Sequence, residues 1–239
     1  MNTDDKKTTL VVGADSDIGA AVIGRLSGNI VAHYYAFPEK VDSLGGVTPV
    51  KGDLSTAEGI QRFVDDVKAL DVQIDKILHL PSVPAKSDRI KNLDPEMFLR
   101  ELNISLISAA IICREFVPDM AKRKFGRLVF MLTSYIIGVP PKFLATYVTC
   151  KYALEGFMKS LAVEFADKGV TVNGVAPYMM NTKFLENVAD ITIEQSAKAN
   201  PTGRNATVDD VVPAVLMLID DKNEYTTGAV IPITGGSAF

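Results

Sequence analysis

The most constraining feature of this chain is an apolar run that passes through a glycine-containing turn into a helix. Residues 8–12 are continuously β-branched or aliphatic, as in a strand buried on both faces. Residues 13–19 begin and end with glycine, and residues 20–26 are amphipathic at helical spacing. Strand, turn and helix in this order provide the context of a dinucleotide-binding loop. An ordinary βα turn would show the same glycine spacing.

The rest of the chain repeats this alternation of strand and helix. We predict a single-domain α/β Rossmann fold over residues 1–239, with a doubly wound parallel seven-stranded sheet and helices on both faces. Pro118 is expected to end or kink the helical pattern of residues 95–124. The weaker pattern over about 178–205 predicts a substrate-binding lid. Further strands are predicted at 30–35, 47–51, 76–80, 128–132, 170–175 and 229–233, and further helices at 56–70, from 147 to 165 and from 207 or 209 to 218.

Composition excludes several classes of partner. The chain has 25 basic and 29 acidic residues, and its only tight basic cluster is 122–124, so nucleic-acid binding is not expected. Cys113 and Cys150 lie in apolar helical patterns and are interpreted as buried thiols of a reducing compartment. Residues 1–9 carry no apolar signal core, and the apolar run at 104–112 is too short to cross a bilayer. We expect a cytoplasmic protein without membrane contact or a metal site.

A tyrosine and a lysine stand four residues apart where a predicted helix begins. This spacing places Tyr147 and Lys151 on one helical face, one turn apart. A cation beside a phenol favours phenolate, so we expect the Tyr147 pKa to be lowered towards neutrality. The pair alone is a weak signal, because many helices carry one by chance.

The order of several residues along the chain strengthens this interpretation. Ser134 lies 13 residues before Tyr147, and a tail from Gly203 to Gly236 is rich in glycine and threonine. The chain resembles the short-chain dehydrogenase/reductase family, and the tail is similar to that of 3-oxoacyl-carrier-protein reductases. The residues that carry the resemblance are Gly13, Gly19, Asp53, Asn103, Ser134, Tyr147, Lys151, Pro177 and Thr182.

The resemblance implies a reaction and a set of catalytic residues. Tyr147 would be the general acid/base in hydride transfer between NAD(P)H and a ketone or secondary alcohol. Ser134 would polarise the carbonyl oxygen. Lys151 would bind the nicotinamide ribose and lower the Tyr147 pKa. Asn103 would hold a water that is connected to Lys151. The substrate residues would be Ser134, Tyr147, Tyr178 and Met179. The residues that would contact the cofactor are Gly13, Asp15, Ser16, Asp17, Ile18, Gly19, Tyr35, Asp53, Leu54, Tyr147, Lys151, Pro177 and Thr182.

Some of these positions depart from the family pattern and leave alternatives open. Asp17 replaces a glycine and is expected to point away from the pyrophosphate or to cap the helix. Asp53 would hold the adenine or cap the helix at 56–70. His79, where the family has asparagine, is interpreted as a packed residue at the end of a strand. Tyr178 would shape an aromatic pocket or crowd the cofactor.

The choice of cofactor depends on the end of the second strand. An acid there selects NAD, but the residue at this place is Tyr35. The nearest basic candidates are Lys40 and Arg25. Because many reductases with a tyrosine in this strand use NADPH, the resemblance favours NADP(H) over NAD(H).

Two other functions compete with carbonyl reduction. Enoyl reductases of this fold have tyrosine seven residues before the lysine, where this chain has Leu144; Tyr152 and Lys159 have that spacing, but Ser134 fits Tyr147 instead. A non-catalytic regulatory or scaffold protein with a degenerate cofactor site is the alternative from another class. The substrate would be a small carbonyl or alcohol compound, or a thioester or carrier-protein-bound acyl group. Apolar helices at 104–116 and 152–165 predict a homo-oligomer, a dimer or tetramer.

Overall fold

A computed structural model describes residues 6–84 and 87–238, so residues 1–5 of the stretch without an apolar signal core lie outside the described residues. Seven parallel strands form one sheet in the order β3-β2-β1-β4-β5-β6-β7. This confirms the predicted doubly wound sheet. The strands are β1 (Thr8–Val12), β2 (Asn29–Tyr34), β3 (Val47–Lys51), β4 (Lys76–His79), β5 (Gly126–Met131), β6 (Val170–Pro177) and β7 (Val230–Ile233).

Helices cover both faces of this sheet, as its two-sided apolar strands require. In β1, Leu10 and Val12 belong to one buried cluster, whereas Val11 belongs to the other. The helices are α1 (Asp17–Ile23), α2 (Pro38–Asp42), α3 (Ala57–Ala69), α4 (Pro95–Leu102), α5 (Ser108–Arg123), α6 (Ala145–Phe165), α7 (Asp190–Ala199) and α8 (Val208–Ile219). The first cluster contains residues of α3, α5 and α6, and the second contains residues of α1, α2 and α8.

The predicted helix at 95–124 is divided, but not at the proline. A π-helical segment, Asn103–Ile107, separates α4 from α5. Pro118 lies inside α5, which continues to Arg123, so the expectation that Pro118 ends the helix is wrong. Pro118 is exposed, and water can therefore satisfy the carbonyl that loses its intrahelical bond.

The strand register brings the active-site loops to one edge of the sheet. The last residue of β1, Val12, is aligned with His79 at the end of β4. Strand order reverses at these two neighbours, and the crevice outside their carboxyl ends is where open α/β sheets bind ligands. His79 is buried at the end of its strand, as predicted. No helix in the described part of the chain is both long and apolar enough to cross a bilayer.

Candidate active site

The turn after β1 is held in place by a buried histidine. The Gly13 N–H donates to His33 Nδ1 at 3.0 Å, and His33 Nε2 lies 3.2 Å from the Gly52 carbonyl oxygen. Gly13 has a φ of +82°, a left-handed conformation that favours glycine. Burial lowers the pKa of His33 to about 4, so its ring is neutral and joins the ends of three segments. Sequence reasoning did not identify this contact.

The same turn starts α1 and packs closely on it. Ser16 caps the helix by accepting a hydrogen bond from the Gly19 N–H at 3.0 Å. A Cβ at Gly19 would lie 2.5 Å from the Gly13 carbonyl oxygen, so only glycine fits there. Ile18 is buried in the second cluster. The glycine spacing therefore has a structural reason as well as the predicted functional one.

Asp17 bridges two sides of the crevice. Its carboxylate accepts from the Lys183 backbone N–H at 2.9 Å and pairs with Lys40 Nζ at 3.1 Å. These bonds lower the pKa of Asp17 against the opposing effect of burial, which is the largest single influence. Asp17 does not cap α1, since Ser16 is the cap, so the expectation that Asp17 caps the helix is wrong. Its direction relative to a bound pyrophosphate stays a prediction.

Asp15 reaches across the turn to the end of β2. Its Oδ2 atom lies 3.1 Å from the backbone nitrogens of Tyr35 and Ala36 and 3.4 Å from that of Phe37. Tyr35 itself is half exposed just beyond the strand. The predicted cofactor residues Asp15 and Tyr35 are thus in direct contact.

The turn after β3 faces the π-helical segment. Asp53 accepts from the Ser55 N–H at 2.9 Å, while α3 is capped by Thr56, so Asp53 does not cap that helix. Leu54 is buried in the first cluster. The Asn103 amide donates to the Ser55 carbonyl oxygen at 2.8 Å. Asn103 therefore joins the catalytic side of the crevice to its β3 side.

Tyr147 lies in the first turn of α6 and is partly buried. Burial raises the pKa of its phenol, a hydrogen bond with Thr133 lowers it, and the charges of Glu101 and Tyr135 raise it further. Together these effects raise the pKa of Tyr147. The expected lowering of the Tyr147 pKa is therefore wrong, because desolvation penalises phenolate more than its surroundings stabilise it.

Lys151 lies one turn further on and is almost completely buried. Its Nζ donates to the Met131 carbonyl oxygen at 2.8 Å and lies 5.7 Å from the centre of the Tyr147 ring. Burial lowers the pKa of Lys151 to about 8, although Glu101 and Cys150 raise it. The predicted pairing of Tyr147 and Lys151 on one helical face is confirmed.

Ser134 supplies a buried hydroxyl on the turn after β5, and this turn packs against α6. It begins a 3₁₀ turn after β5, and its Oγ has no hydrogen-bond partner among the described residues. Buried hydroxyls are normally satisfied, and an unsatisfied one costs about 1–3 kcal/mol. A ligand oxygen would relieve that cost.

Two residues near Tyr147 were missed by sequence reasoning. Thr133 carries the hydroxyl that bonds the phenol, and only its position beside Ser134 hints at this. Glu101 is 5% exposed and is bonded by the Ser82 and Ser105 hydroxyls at 3.0 and 2.8 Å. Nothing in the sequence marks Glu101, because its partners come from a different loop and from the π-helical segment.

The substrate side of Tyr147 is apolar and aromatic. The Phe184 ring lies 6.0 Å from that of Tyr147. Burial raises the pKa of the Tyr135 phenol, and Tyr178 raises it further.

The segment after β6 also contains predicted site residues. Pro177 ends β6, and the Met179 carbonyl oxygen accepts a hydrogen bond from the Ala206 N–H at 3.0 Å. Thr182 precedes a 3₁₀ turn and does not cap it through its side chain. A cavity of about 90 Å³ opens beside Tyr147, lined in part by Val83, Ile90, Met97, Glu101 and Phe143.

The converging loops suit a dinucleotide better than a metal ion. The turn after β1 is tied to the turns after β3, β2 and β6 through His33, Asp15 and Asp17 respectively. The Ser134 hydroxyl is orphaned on the turn after β5, and Asp17 adds a negative charge beside the turn after β1. Within residues 6–84 and 87–238, no group of three or more His, Cys, Asp or Glu side chains is arranged to hold a metal.

This geometry is that of a short-chain dehydrogenase/reductase, and the chain belongs to that family. Residues 29–238 match a family model described as enoyl-(acyl carrier protein) reductase. The 3-oxoacyl-[acyl-carrier-protein] reductase of Rickettsia bellii is 30% identical, with 96% of each chain covered. Oxidoreductase UcpA of Salmonella typhimurium is 29% identical, covering 98% of this chain and 95% of that one.

A solved structure extends the likeness to three dimensions. The 3-oxoacyl (acyl-carrier-protein) reductase of Agrobacterium tumefaciens C58, with NADP bound, has a TM-score of 0.85 and 24% identity. It covers 96% of this chain and 93% of its own. The predicted fold and the predicted family are confirmed, and the protein is a short-chain NAD(P)-dependent oxidoreductase.

Proposed function

We propose that the protein reduces a ketone or oxo group to a secondary alcohol, or catalyses the reverse oxidation, with Tyr147 as the general acid/base. Two observations support this proposal: the buried Lys151 ammonium lies beside the Tyr147 ring, and the Ser134 hydroxyl is unpartnered on a turn that packs against the same helix. A bound nicotinamide supplies or accepts the hydride. The protein supplies placement and proton transfer.

The raised pKa of Tyr147 suits the direction of reduction. Its phenol keeps a proton at neutral pH and donates it to the carbonyl oxygen as that oxygen gains negative charge. Ser134 donates a hydrogen bond to the same oxygen and so stabilises the developing charge. Thr133 holds the phenol through its own hydroxyl.

Lys151 and Asn103 support this proton transfer indirectly. The Met131 carbonyl oxygen orients the Lys151 ammonium, which attracts the electrons of the Tyr147 ring and can bind ribose hydroxyls. Asn103 lies in the π-helical segment, a kind of helix interruption that is frequent at functional sites, and we assign to it the water that connects Lys151 to solvent. These roles remain predictions for each residue.

The substrate class follows from the aromatic wall and from the relatives. Tyr178, Met179 and Phe184 favour an apolar or aromatic carbonyl compound. The names of the Rickettsia bellii and Agrobacterium tumefaciens proteins support an acyl group carried as a thioester. The residue seven positions before Lys151 is Leu144, so we do not propose the enoyl reduction in the description of the matched family model.

A nicotinamide dinucleotide fits the crevice through its loops. Gly13, Ser16, Ile18 and Gly19 would face the pyrophosphate, Asp53 and Leu54 the adenine, and Pro177 and Thr182 the nicotinamide. The NADP-bound reductase from Agrobacterium tumefaciens supports a nicotinamide cofactor. The preference for NADP(H) over NAD(H) stays a prediction from the family resemblance.

The decisive experiment is a panel of ketones, diketones and acetoacetyl thioesters, assayed with both NADH and NADPH. Tyr147→Phe should lower kcat by at least ~10²-fold on any active substrate while cofactor affinity stays within about twofold. Tyr152→Phe is the matched control, since Tyr152 is exposed on the same helix. Full activity of Tyr147→Phe would refute the proposal. Wild type that binds neither cofactor would favour the non-catalytic scaffold.

The predicted homo-oligomer also remains to be tested. Tyr152 and Val163 on α6 expose large apolar surfaces, Val163 to 83%. Static light scattering at micromolar concentration should give the mass of a dimer or tetramer. A monomer would contradict the prediction.

A further inference from the structure

Three consecutive backbone N–H groups just beyond β2 converge on one atom, Asp15 Oδ2. The N···O distances are 3.1 Å from Tyr35, 3.1 Å from Ala36 and 3.4 Å from Phe37. Successive N–H groups that point into one concavity form an anion-binding nest. In this chain the anion is part of the protein, because the carboxylate comes from the turn after β1.

The end of the second strand is where a dinucleotide fold distinguishes the two nicotinamide cofactors. An acid there accepts a ribose hydroxyl of NAD, whereas NADP needs donors and cations for its 2′-phosphate. Asp15 supplies the acid that residue 35 lacks. Its Oδ1 atom accepts no hydrogen bond from residues 6–84 or 87–238, so that oxygen is available to a hydroxyl donor.

The basic residues near this place are already engaged. Arg25 pairs with Asp209 at 2.7 Å. Lys40 bonds both the Asp15 carbonyl oxygen, at 3.0 Å, and Asp17. Lys183 lies over the Phe37 ring, 5.4 Å from its centre, and is the competing determinant because it would favour a phosphate.

We infer that Asp15 makes the enzyme select NAD(H) over NADP(H), by accepting a ribose hydroxyl and by keeping a 2′-phosphate from the three N–H groups. The inference rests on the proposed function and reverses the preference suggested by the family resemblance. It assigns the selecting acid to the turn after β1 instead of to the second strand.

The test is a fluorescence titration of the full-length protein with NADH and with NADPH. Wild type should bind NADH at least about tenfold more tightly, equivalent to ~1.4 kcal/mol. Asp15→Ser opens the nest and should remove or reverse this ratio. Asp15→Asn keeps an oxygen that can accept the N–H groups but removes the charge, and should reduce the ratio by several-fold.

Asp42→Asn is the matched control, because it removes the same charge from an exposed position on α2. It should leave the ratio within about twofold. Lys183→Gln should also leave NADH favoured. A ratio that changes in Lys183→Gln but not in Asp15→Asn would overturn the inference and assign selection to Lys183.

The remaining outcomes separate this inference from the proposed function. Wild type that binds NADPH more tightly than NADH overturns the role of Asp15 but leaves carbonyl reduction intact. Wild type that binds neither cofactor overturns both. Because Asp15→Asn is nearly isosteric with the wild type, its ratio of NADH to NADPH affinity tests the role of Asp15 even if Asp15→Ser does not fold.

Discussion

The Asp17 carboxylate lies 2.9 Å from the backbone nitrogen of Lys183, although 166 residues separate them in the chain. This bond joins the turn after β1 to the segment after β6, across the crevice proposed for the cofactor. The carboxylate also holds Lys40 at 3.1 Å. A negative charge is therefore fixed between these two segments, and two donors that suit a phosphate are occupied.

Removing the Asp17 carboxylate should strengthen cofactor binding. Asp17→Gly frees Lys40 and the Lys183 N–H and ends the repulsion, so we expect the Kd of the preferred cofactor to fall several-fold. Fluorescence titration measures this. Asp209→Asn, which breaks an exposed ion pair with Arg25, is the control. Weaker binding by Asp17→Gly would mean that the carboxylate instead organises the crevice.

Reduction should lose rate as pH rises through about 8. Burial lowers the pKa of Lys151 to about 8, so the ammonium beside Tyr147 is lost above that pH. Tyr147 cannot cause this change, because its own pKa is raised. Profiles of kcat/KM against pH should show the decline. Since Glu101 raises the pKa of Lys151, Glu101→Gln should move the decline of kcat/KM to lower pH. A decline at the same pH in this variant would exclude Lys151 as its source.

The same glutamate should be important for stability. Glu101 accepts from the Ser82 and Ser105 hydroxyls and from the Val83 N–H at 3.1 Å. In Glu101→Gln, an amide N–H₂ replaces one acceptor and leaves a buried donor unpaired, at a cost of about 1–3 kcal/mol. Urea unfolding measures the loss. Glu96→Gln, at an exposed position on α4, should change the free energy of unfolding little; equal losses in both variants would refute the burial argument.

Acid should destabilise the protein through His33. Burial lowers the pKa of His33 from 6.5 to about 4, so the unfolded chain binds a proton that the folded chain refuses between those values. The contribution of neutral His33 is complete above about pH 6.5 and falls as pH drops towards 4. The slope is at most about 1.4 kcal/mol per pH unit. Urea unfolding at several pH values checks this.

His33→Asn is the informative variant, since asparagine can accept the Gly13 N–H bond without titrating. It should lose part of the acid dependence. His79, where burial lowers the pKa to about 3, should contribute to the remainder, as should carboxylates with a lowered pKa such as Asp17. Identical slopes in wild type and His33→Asn would contradict the assignment.

The sequence by itself determined the parallel sheet, the longer helices that pack on it and the pairing of Tyr147 with Lys151, whereas α2 and α7 were not predicted. These depend on local periodicity: apolar runs bury strands on both faces, and a spacing of four joins side chains on one turn. The family resemblance singled out Ser134, 13 residues before Tyr147, and its hydroxyl is buried without a partner among the described residues. The expectation that Pro118 ends the helix failed because Pro118 lies on an exposed face of α5, where water can replace the lost intrahelical bond.

Only the tertiary structure decided the electrostatics of the site. The pKa of Tyr147 depends on how completely the fold removes its phenol from water, and its bond with Thr133 depends on the approach of β5 to α6. Glu101, Asp15 and Asp17 acquire their roles from partners in other segments. Charge interactions depend on distances in space and on the local dielectric, and neither quantity can be read from the order of residues alone.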